Sequence, residues 1–220
     1  MLKIGHRGAA GHVAENTLAG IQRAIDWRLD CVELDVVASR DGRLVIFHDR
    51  RLERMTEGKG LVADTSFADL RRLTVKGGHQ IPTLEEVLDL AAGRIGLMLE
   101  LKAPGLAHAL TQAVARHGFA GRLLYASFFH QDLVAVRRLQ PQAETLALIV
   151  GDLVQPAAFA LEAQATHVGA AFDFLTQAAV DAVHAAGLRV FAFTVNEPAD
   201  IQAITALGVD GMISDFPDRL

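Results

Sequence analysis

The chain has 220 residues, 51% of them hydrophobic and 21% charged, with 21 Lys and Arg against 26 Asp and Glu for a formal net charge of −5. That balance argues against a free-standing nucleic-acid binder and against disorder as the main state, while the length suits one barrel-sized domain. The single cysteine, Cys31, rules out an internal disulfide and a Cys-rich zinc site, so a reduced cytoplasm is the default setting. No stretch approaches the ~18 apolar residues of a bilayer span, and we read no signal peptide, lipid anchor or integral membrane association.

Short runs rich in Val, Ile, Leu and Phe alternate with Ala/Leu-rich amphipathic stretches from end to end, the pattern of strand–helix units around a parallel sheet. In chain order we expect strand Leu2–Ile4, helix Thr17–Trp27, strands Cys31–Val37 and Leu44–His48, helix Leu84–Ala92 and strand Ile95–Leu101. Helix Leu106–His117, strand Leu123–Ser127, helix Gln131–Leu139, strand Leu146–Val150 and helix Pro156–Ala163 follow. The series closes with strand His167–Ala170, helix Thr176–Ala186, strand Val190–Val195, helix Pro198–Leu207 and strand Gly211–Ser214. Start signals support several helices: Asn16-Thr17, Thr83 with Glu86 three residues on, and Pro198 in a first turn.

The fold class is α/β, and this count is one strand more than a closed (β/α)8 TIM-type barrel requires. Asp41-Gly42 between Val/Ile-rich runs accounts for the surplus as a β-hairpin excursion with a two-residue turn, both central residues at positive φ. In that register Asp35 sits opposite His48, on the face shared by Glu33 and Asp35. Residues 50–80 break the rhythm, being charged and Gly-dotted with one helical stretch near Ser66–Leu73, and read as a small inserted cap. Without repeats or linkers, residues 1–220 read as a single domain.

Polar residues interrupt the strands mainly at their downstream ends, where strand–helix barrels build active sites: His6, Arg7, Glu33, Asp35, His48, Asp49, Glu100, Lys102, Ser127, Thr194 and Asn196. Alone, each could be a satisfied buried group or a helix cap; their repetition at one rim carries the argument. Glu33, Asp35 and Glu100 concentrate negative charge that a hard divalent metal, Mg²⁺ or Ca²⁺, would neutralise. Pairing of the same carboxylates with Arg7 and Lys102 is the competing account. His6 and His48 suit general acid/base work, and Arg7 with Lys102 favours a phosphorylated small-molecule substrate. The other histidines (12, 79, 108, 117, 130, 167 and 184) read as surface or packing residues.

His6-Arg7-Gly8, Glu15-Asn16-Thr17, Glu33-Leu34-Asp35-Val36, Asp41-Gly42, Phe47-His48-Asp49, Pro82-Thr83-Leu84, Glu100-Leu101-Lys102, Thr194-Val195-Asn196 and Asp210-Gly211 through Ser214-Asp215 run in order across the chain. This set resembles the glycerophosphodiester phosphodiesterase family. The resemblance implies a phospholipase-C-like barrel that hydrolyses glycerophosphodiesters to sn-glycerol 3-phosphate and an alcohol. It implies Glu33, Asp35 and Glu100 as ligands of one divalent metal, Mg²⁺ or Ca²⁺ with Mn²⁺ as a further option. His6 and His48 become the acid/base pair, and Arg7 with Lys102 the phosphate holders. It also suggests a route in which the glycerol 2-hydroxyl attacks phosphorus first. Glu15 and Asn16 match a family motif, with a helix cap and loop brace as the simpler role.

Two positions depart from the family pattern: Ala14 stands where Pro is usual, and Phe193 where an aromatic, often Trp, precedes Thr-Val-Asn. Phe193 keeps an apolar face for the glycerol carbons. Two other readings stay open, a different phosphate-handling barrel enzyme such as an isomerase or aldolase, and a non-catalytic phospholipid-headgroup-binding barrel. The alcohol, the oligomeric state and the pathway are not legible.

Overall fold

Alternating runs of the sequence fold as nine strands and eight α-helices in a computed structural model that describes residues 1–220. The first half contains β1 (Leu2–Gly5), α1 (Leu18–Asp26), β2 (Cys31–Ala38), β3 (Leu44–Ile46), α2 (Phe67–Leu70), α3 (Leu84–Ala91), β4 (Gly96–Leu101) and α4 (Ala107–His117). The second half runs β5 (Leu123–Ser127), α5 (His130–Leu139), β6 (Glu144–Ile149), α6 (Ala158–Glu162), β7 (His167–Ala171), α7 (Gln177–Ala185), β8 (Arg189–Phe193), α8 (Pro198–Ala206) and β9 (Gly211–Ser214). Eight strands pair in parallel in the order β1-β9-β8-β7-β6-β5-β4-β2, and β1 closes the ring on β2. The expected eight-stranded barrel is present, with β3 as the antiparallel extra strand on β2.

Local chemistry sets the element ends. Thr17 caps α1 by accepting from the Gly20 amide, and Thr83 with Glu86 forms the reciprocal capping box of α3, an arrangement worth roughly 1 kcal/mol. Inward side chains of the strands, among them Ile4, Met98, Leu124, Leu146, Phe191 and Ile213, fill the lumen. Outward residues such as Leu34, Leu99 and Val190 pack under the helices. Phe191 requires the glycine beside it: a Cβ on Gly211 would stand 2.8 Å from its ring.

The hairpin corrects one expectation. Val36 pairs with Ile46, Val37 with Val45 and Ala38 with Leu44, so the register is shifted by one and Asp35 lies opposite Phe47, whose amide donates to the Asp35 carbonyl at 2.9 Å. The connection is a three-residue loop, Arg40-Asp41-Gly42, closed by the Gly42 amide on the Ser39 carbonyl, and of these three only Gly42 takes positive φ (79°). Asp41 is held otherwise: its carboxylate accepts from the Ser39 hydroxyl at 2.6 Å and from the Phe67 amide at 2.9 Å, tying the turn to the start of α2. The inserted segment has its own small core, in which Leu52, Met55, Val62, Leu70, Val75 and Ile81 pack against Val37, Val45 and Phe47. No helix is long and apolar enough to cross a membrane.

Candidate active site

Two strands place the three carboxylates. Glu33 and Asp35, two apart on β2, both point into the barrel, and the parallel register sets Asp35 beside Glu100 of β4. One oxygen from each of Glu33, Asp35 and Glu100 lies within 4.8 Å of the others, and all three residues are buried. Burial, reinforced by Asp35 and Glu100, pushes the Glu33 carboxyl well above its usual range. Burial and Asp35 likewise raise Glu100 to about 7, against the pull of Lys102.

Two cations reach this cluster. Lys102 Nζ stands 2.9 Å from Glu100 and 3.5 Å from Asp35, and Arg7 Nε stands 3.4 Å from Asp35. The pairing of the carboxylates with Arg7 and Lys102 is therefore present, but it is incomplete. Two positive charges meet three negative ones, Arg7 is shared with Glu15 at 2.9 Å, and Glu33 Oε1 is buried with no hydrogen-bond partner. An orphaned buried oxygen in an all-oxygen donor set is what a hard divalent cation would complete.

Two histidines face the same space, each backed by an aspartate. His6 follows β1, and its Nδ1 lies 2.6 Å from Asp215 after β9, while Nε2 is 3.9 Å from Glu33. Burial raises Asp215, but the His6 bond and charge together with a 2.8 Å bond from Asn196 Nδ2 bring it below the usual carboxylate range. An ionised carboxylate only accepts, so Nδ1 carries the proton and Nε2 is left to the pocket. His48 repeats the arrangement with Asp49, at 2.6 Å, which hydrogen bonds from Arg54 hold down at about 2. Burial lowers the His48 pKa against the opposing pull of Asp35 and Asp49. His48 reaches the pocket because the ladder ends at Ile46 and the chain turns away, not by strand alternation.

The loop after β1 holds the rest. Arg7 (φ 48°) donates its backbone amide to Glu33 Oε2 at 3.0 Å and accepts the Asn16 amide on its carbonyl at 2.9 Å. Gly8, at φ 98°, presses this loop onto α1, where an added Cβ would lie 2.9 Å from the Gly20 backbone. His6, Arg7, Glu33, His48, Glu100, Lys102 and Thr194 form one side of a cavity of about 210 Å³ at the C-terminal end of the strands. Met98, Ala126, Phe128, Leu148, Phe193 and Ile213 supply its apolar lining, with Phe128 edge-on to Phe193 at 6.0 Å between centroids.

The eight residues given metal, acid/base or substrate roles come together: seven line this cavity, and Asp35 lies behind it against Arg7 and Lys102; of the other rim residues Thr194 lines it too, whereas Ser127 donates to the Leu101 carbonyl and Asn196 to Asp215. None of the other seven histidines joins them. Four contributors were missed. Asp49 was placed at the rim but not as the partner of His48, for which its adjacency was a usable signal, and Asp215 was seen only as a motif member, with no histidine nearby in sequence to mark it. Phe128 was legible as an aromatic just past Ser127 at a strand end. Asn16, read as a helix cap or brace, instead grips Asp35, while Thr17 does the capping.

A family model described as Glycerophosphoryl diester phosphodiesterase family matches residues 6–219. A glycerophosphodiester phosphodiesterase of Bacillus altitudinis is 34% identical over 230 residues, covering 97% of this chain and 94% of that relative. One from Caldanaerobacter subterraneus subsp. tengcongensis is 32% identical, covering 100% and 96%. Among solved structures, an Oleispira antarctica phosphodiesterase in complex with the product sn-glycerol-3-phosphate matches with a TM-score of 0.92 at 32% identity, over 98% of this chain and 93% of that one.

Proposed function

The chain belongs to the glycerophosphoryl diester phosphodiesterase family, and from that premise we propose that it hydrolyses glycerophosphodiesters to sn-glycerol 3-phosphate and an alcohol, with His6 and His48 as the acid/base pair of a metal-dependent reaction. The observation that carries this reading is the meeting of an oxygen-only carboxylate triad, two aspartate-backed histidines and two cationic side chains in one cavity. The Oleispira relative, similar over nearly its whole length, holds the product expected of this reaction.

Glu33, Asp35 and Glu100 would hold one divalent ion, Mg²⁺, Ca²⁺ or Mn²⁺. When bound, such an ion neutralises charge on a phosphoryl oxygen and lowers the pKa of a nearby hydroxyl. Arg7 and Lys102 bind the non-ester oxygens of the diester, Arg7 through its planar fork and Lys102 as a point charge. His48, kept neutral by burial, takes the proton of the attacking hydroxyl. His6 acts from its imidazolium form, with Nδ1–H held by Asp215, and gives the Nε2 proton to the departing alkoxide. With the glycerol carbons against Phe193 and Phe128, the 2-hydroxyl attacks phosphorus and expels the alcohol, and water then opens the cyclic 1,2-phosphate to glycerol 3-phosphate. Residues 1–220 act as one domain in this reading, in keeping with a family match that spans nearly all of them. A cytoplasmic setting accords with a buried, unpaired Cys31.

An aldolase-type reading needs a neutral lysine at the rim, whereas Asp35 and Glu100 outweigh burial and raise the Lys102 pKa, keeping it protonated. A headgroup-binding barrel has no use for two aspartate-backed imidazoles. The test is incubation of purified protein with glycerophosphocholine, glycerophosphoethanolamine and glycerophosphoglycerol, with Mg²⁺, Ca²⁺ or Mn²⁺ and with chelator. Glycerol 3-phosphate released only with metal supports the reading; no release with any metal refutes it.

A further inference from the structure

We propose that Arg54, in the inserted cap, is a positioning residue that joins the His48 arm and the Arg7 arm of the pocket into one rigid chain of ion pairs. The proposal rests on the diesterase reading above, and it assigns the cap a part in the catalytic geometry. One guanidinium grips two carboxylates: Nη1 and Nη2 donate to Glu15 at 2.8 and 2.6 Å, while Nε and Nη2 donate to Asp49 at 2.5 and 2.9 Å. Each carboxylate then passes the constraint on. Asp49 accepts from His48 Nδ1 at 2.6 Å, and Glu15 accepts from Arg7 Nη1 at 2.9 Å. The sequence of contacts is His48, Asp49, Arg54, Glu15, Arg7, and both of its ends line the cavity.

The chemistry requires this residue type. Two carboxylates that share one partner repel each other unless a planar, five-donor cation lies between them, and a lysine offers a point charge without the fork. With Arg54 in place, the Asp49 carboxylate is aimed at Nδ1 and the Glu15 carboxylate at Arg7. Without it, both are free to turn toward solvent, and the His48 ring loses its fixed tautomer. The Arg54 side chain is 43% exposed, so the network adds little to global stability; its effect is on geometry, where a displacement on the order of 1 Å costs up to ~10²-fold in rate. Arg72, on the same cap and exposed, contacts only Asp69 three residues away and serves as the control.

The test compares the metal-loaded wild type with Arg54→Ala, Arg54→Lys, Asp49→Asn, the Arg54→Ala/Asp49→Asn double variant and Arg72→Ala. We expect Arg54→Ala to lower kcat about 10–100-fold with KM and melting temperature little changed, Arg54→Lys to recover less than about fivefold, and Arg72→Ala to match wild type. Because Arg54 reaches His48 through Asp49, adding Arg54→Ala to Asp49→Asn should cost clearly less than it costs in the wild type. A second readout needs no turnover: ¹H–¹⁵N spectra of the His48 imidazole should show a protected Nδ1 proton in wild type and its loss or broadening in Arg54→Ala. If the wild type releases no glycerol 3-phosphate, the diesterase reading fails, and the imidazole spectra still decide the role of Arg54. Unchanged kcat or an unchanged His48 Nδ1 signal in Arg54→Ala, or full multiplication of the single effects in the double variant, overturns the proposal.

Discussion

Asn16 grips Asp35 at both ends of its amide: Nδ2 donates to Asp35 Oδ2 at 2.7 Å, and Oδ1 accepts the Asp35 backbone amide at 3.2 Å. Asn16 is buried and sits at φ 57°, a conformation asparagine tolerates better than most residues. Asp35 is thereby held in the orientation in which its other oxygen faces Lys102. We expect Asn16→Ala to strand the Asp35 amide and to weaken divalent-metal affinity by about 10–100-fold, as loss of a supporting hydrogen bond typically does. Calorimetric titration with Mg²⁺ or Mn²⁺ checks this, and an unchanged affinity would show that Asp35 needs no such support.

His6→Ala and His48→Ala should each reduce kcat by roughly 10²–10⁴ with the fold and metal affinity retained. If His48 is the base, kcat/KM rises with pH through its pKa, and burial places that rise below the ordinary histidine value of 6.5. Together with the acid, the profile is bell-shaped. Losses under tenfold for both variants, measured at saturating metal, would make the histidines structural.

How much of this was legible beforehand follows from the range of the interactions. Glu33 and Asp35 share a face by strand alternation, and Glu100 ends a neighbouring strand, so the triad could be inferred from periods and order alone. The hairpin register could not: the Ser39 and Asp41 side chains hold a three-residue loop in place of the two-residue turn, and Asp41 also bonds the Phe67 amide 26 residues away. His48 reached the site all the same, through the end of the ladder and not through pairing. Asp215 backs His6 from 209 residues along the chain, and Arg54 links two loops from within a segment that reads as an insertion, so neither role has a local signature.

Stability should fall in mild acid because of His167, inside the N-terminal end of the barrel. Its side chain is 2% exposed, Nε2 has no hydrogen-bond partner, and burial lowers its pKa to about 4 from the ordinary 6.5, against the pull of Glu144 3.9 Å away. The unfolded chain binds this proton first, so the contribution is whole above pH 6.5 and is lost as pH falls toward 4. That depression corresponds to a loss on the order of 3 kcal/mol. Urea unfolding at pH 7 and pH 4.5 should show a smaller drop in His167→Leu than in wild type. Equal drops would mean that His167 is protonated as easily folded as unfolded.

The glycerol end should matter more than the alcohol end. Phe128 and Phe193 meet the glycerol carbons and Arg7 with Lys102 the phosphate, which leaves no lining residue assigned to the alcohol. Choline, ethanolamine and glycerol diesters should therefore differ by no more than about tenfold in kcat/KM, ~1.4 kcal/mol of discrimination. An analogue lacking the glycerol 2-hydroxyl should not turn over if that hydroxyl is the nucleophile. Normal turnover would leave attack by water, with the same histidines, as the route.

The most direct test is a ³¹P NMR time course of metal-loaded protein with glycerophosphocholine, which reports which of the two ester bonds is cut. Glycerol 3-phosphate is expected as the phosphorus-containing end product, its formation stopped by chelator and by Glu33→Ala. Phosphocholine as the product, or glycerol 3-phosphate formed at full rate in excess chelator, would refute the metal-dependent diesterase assignment.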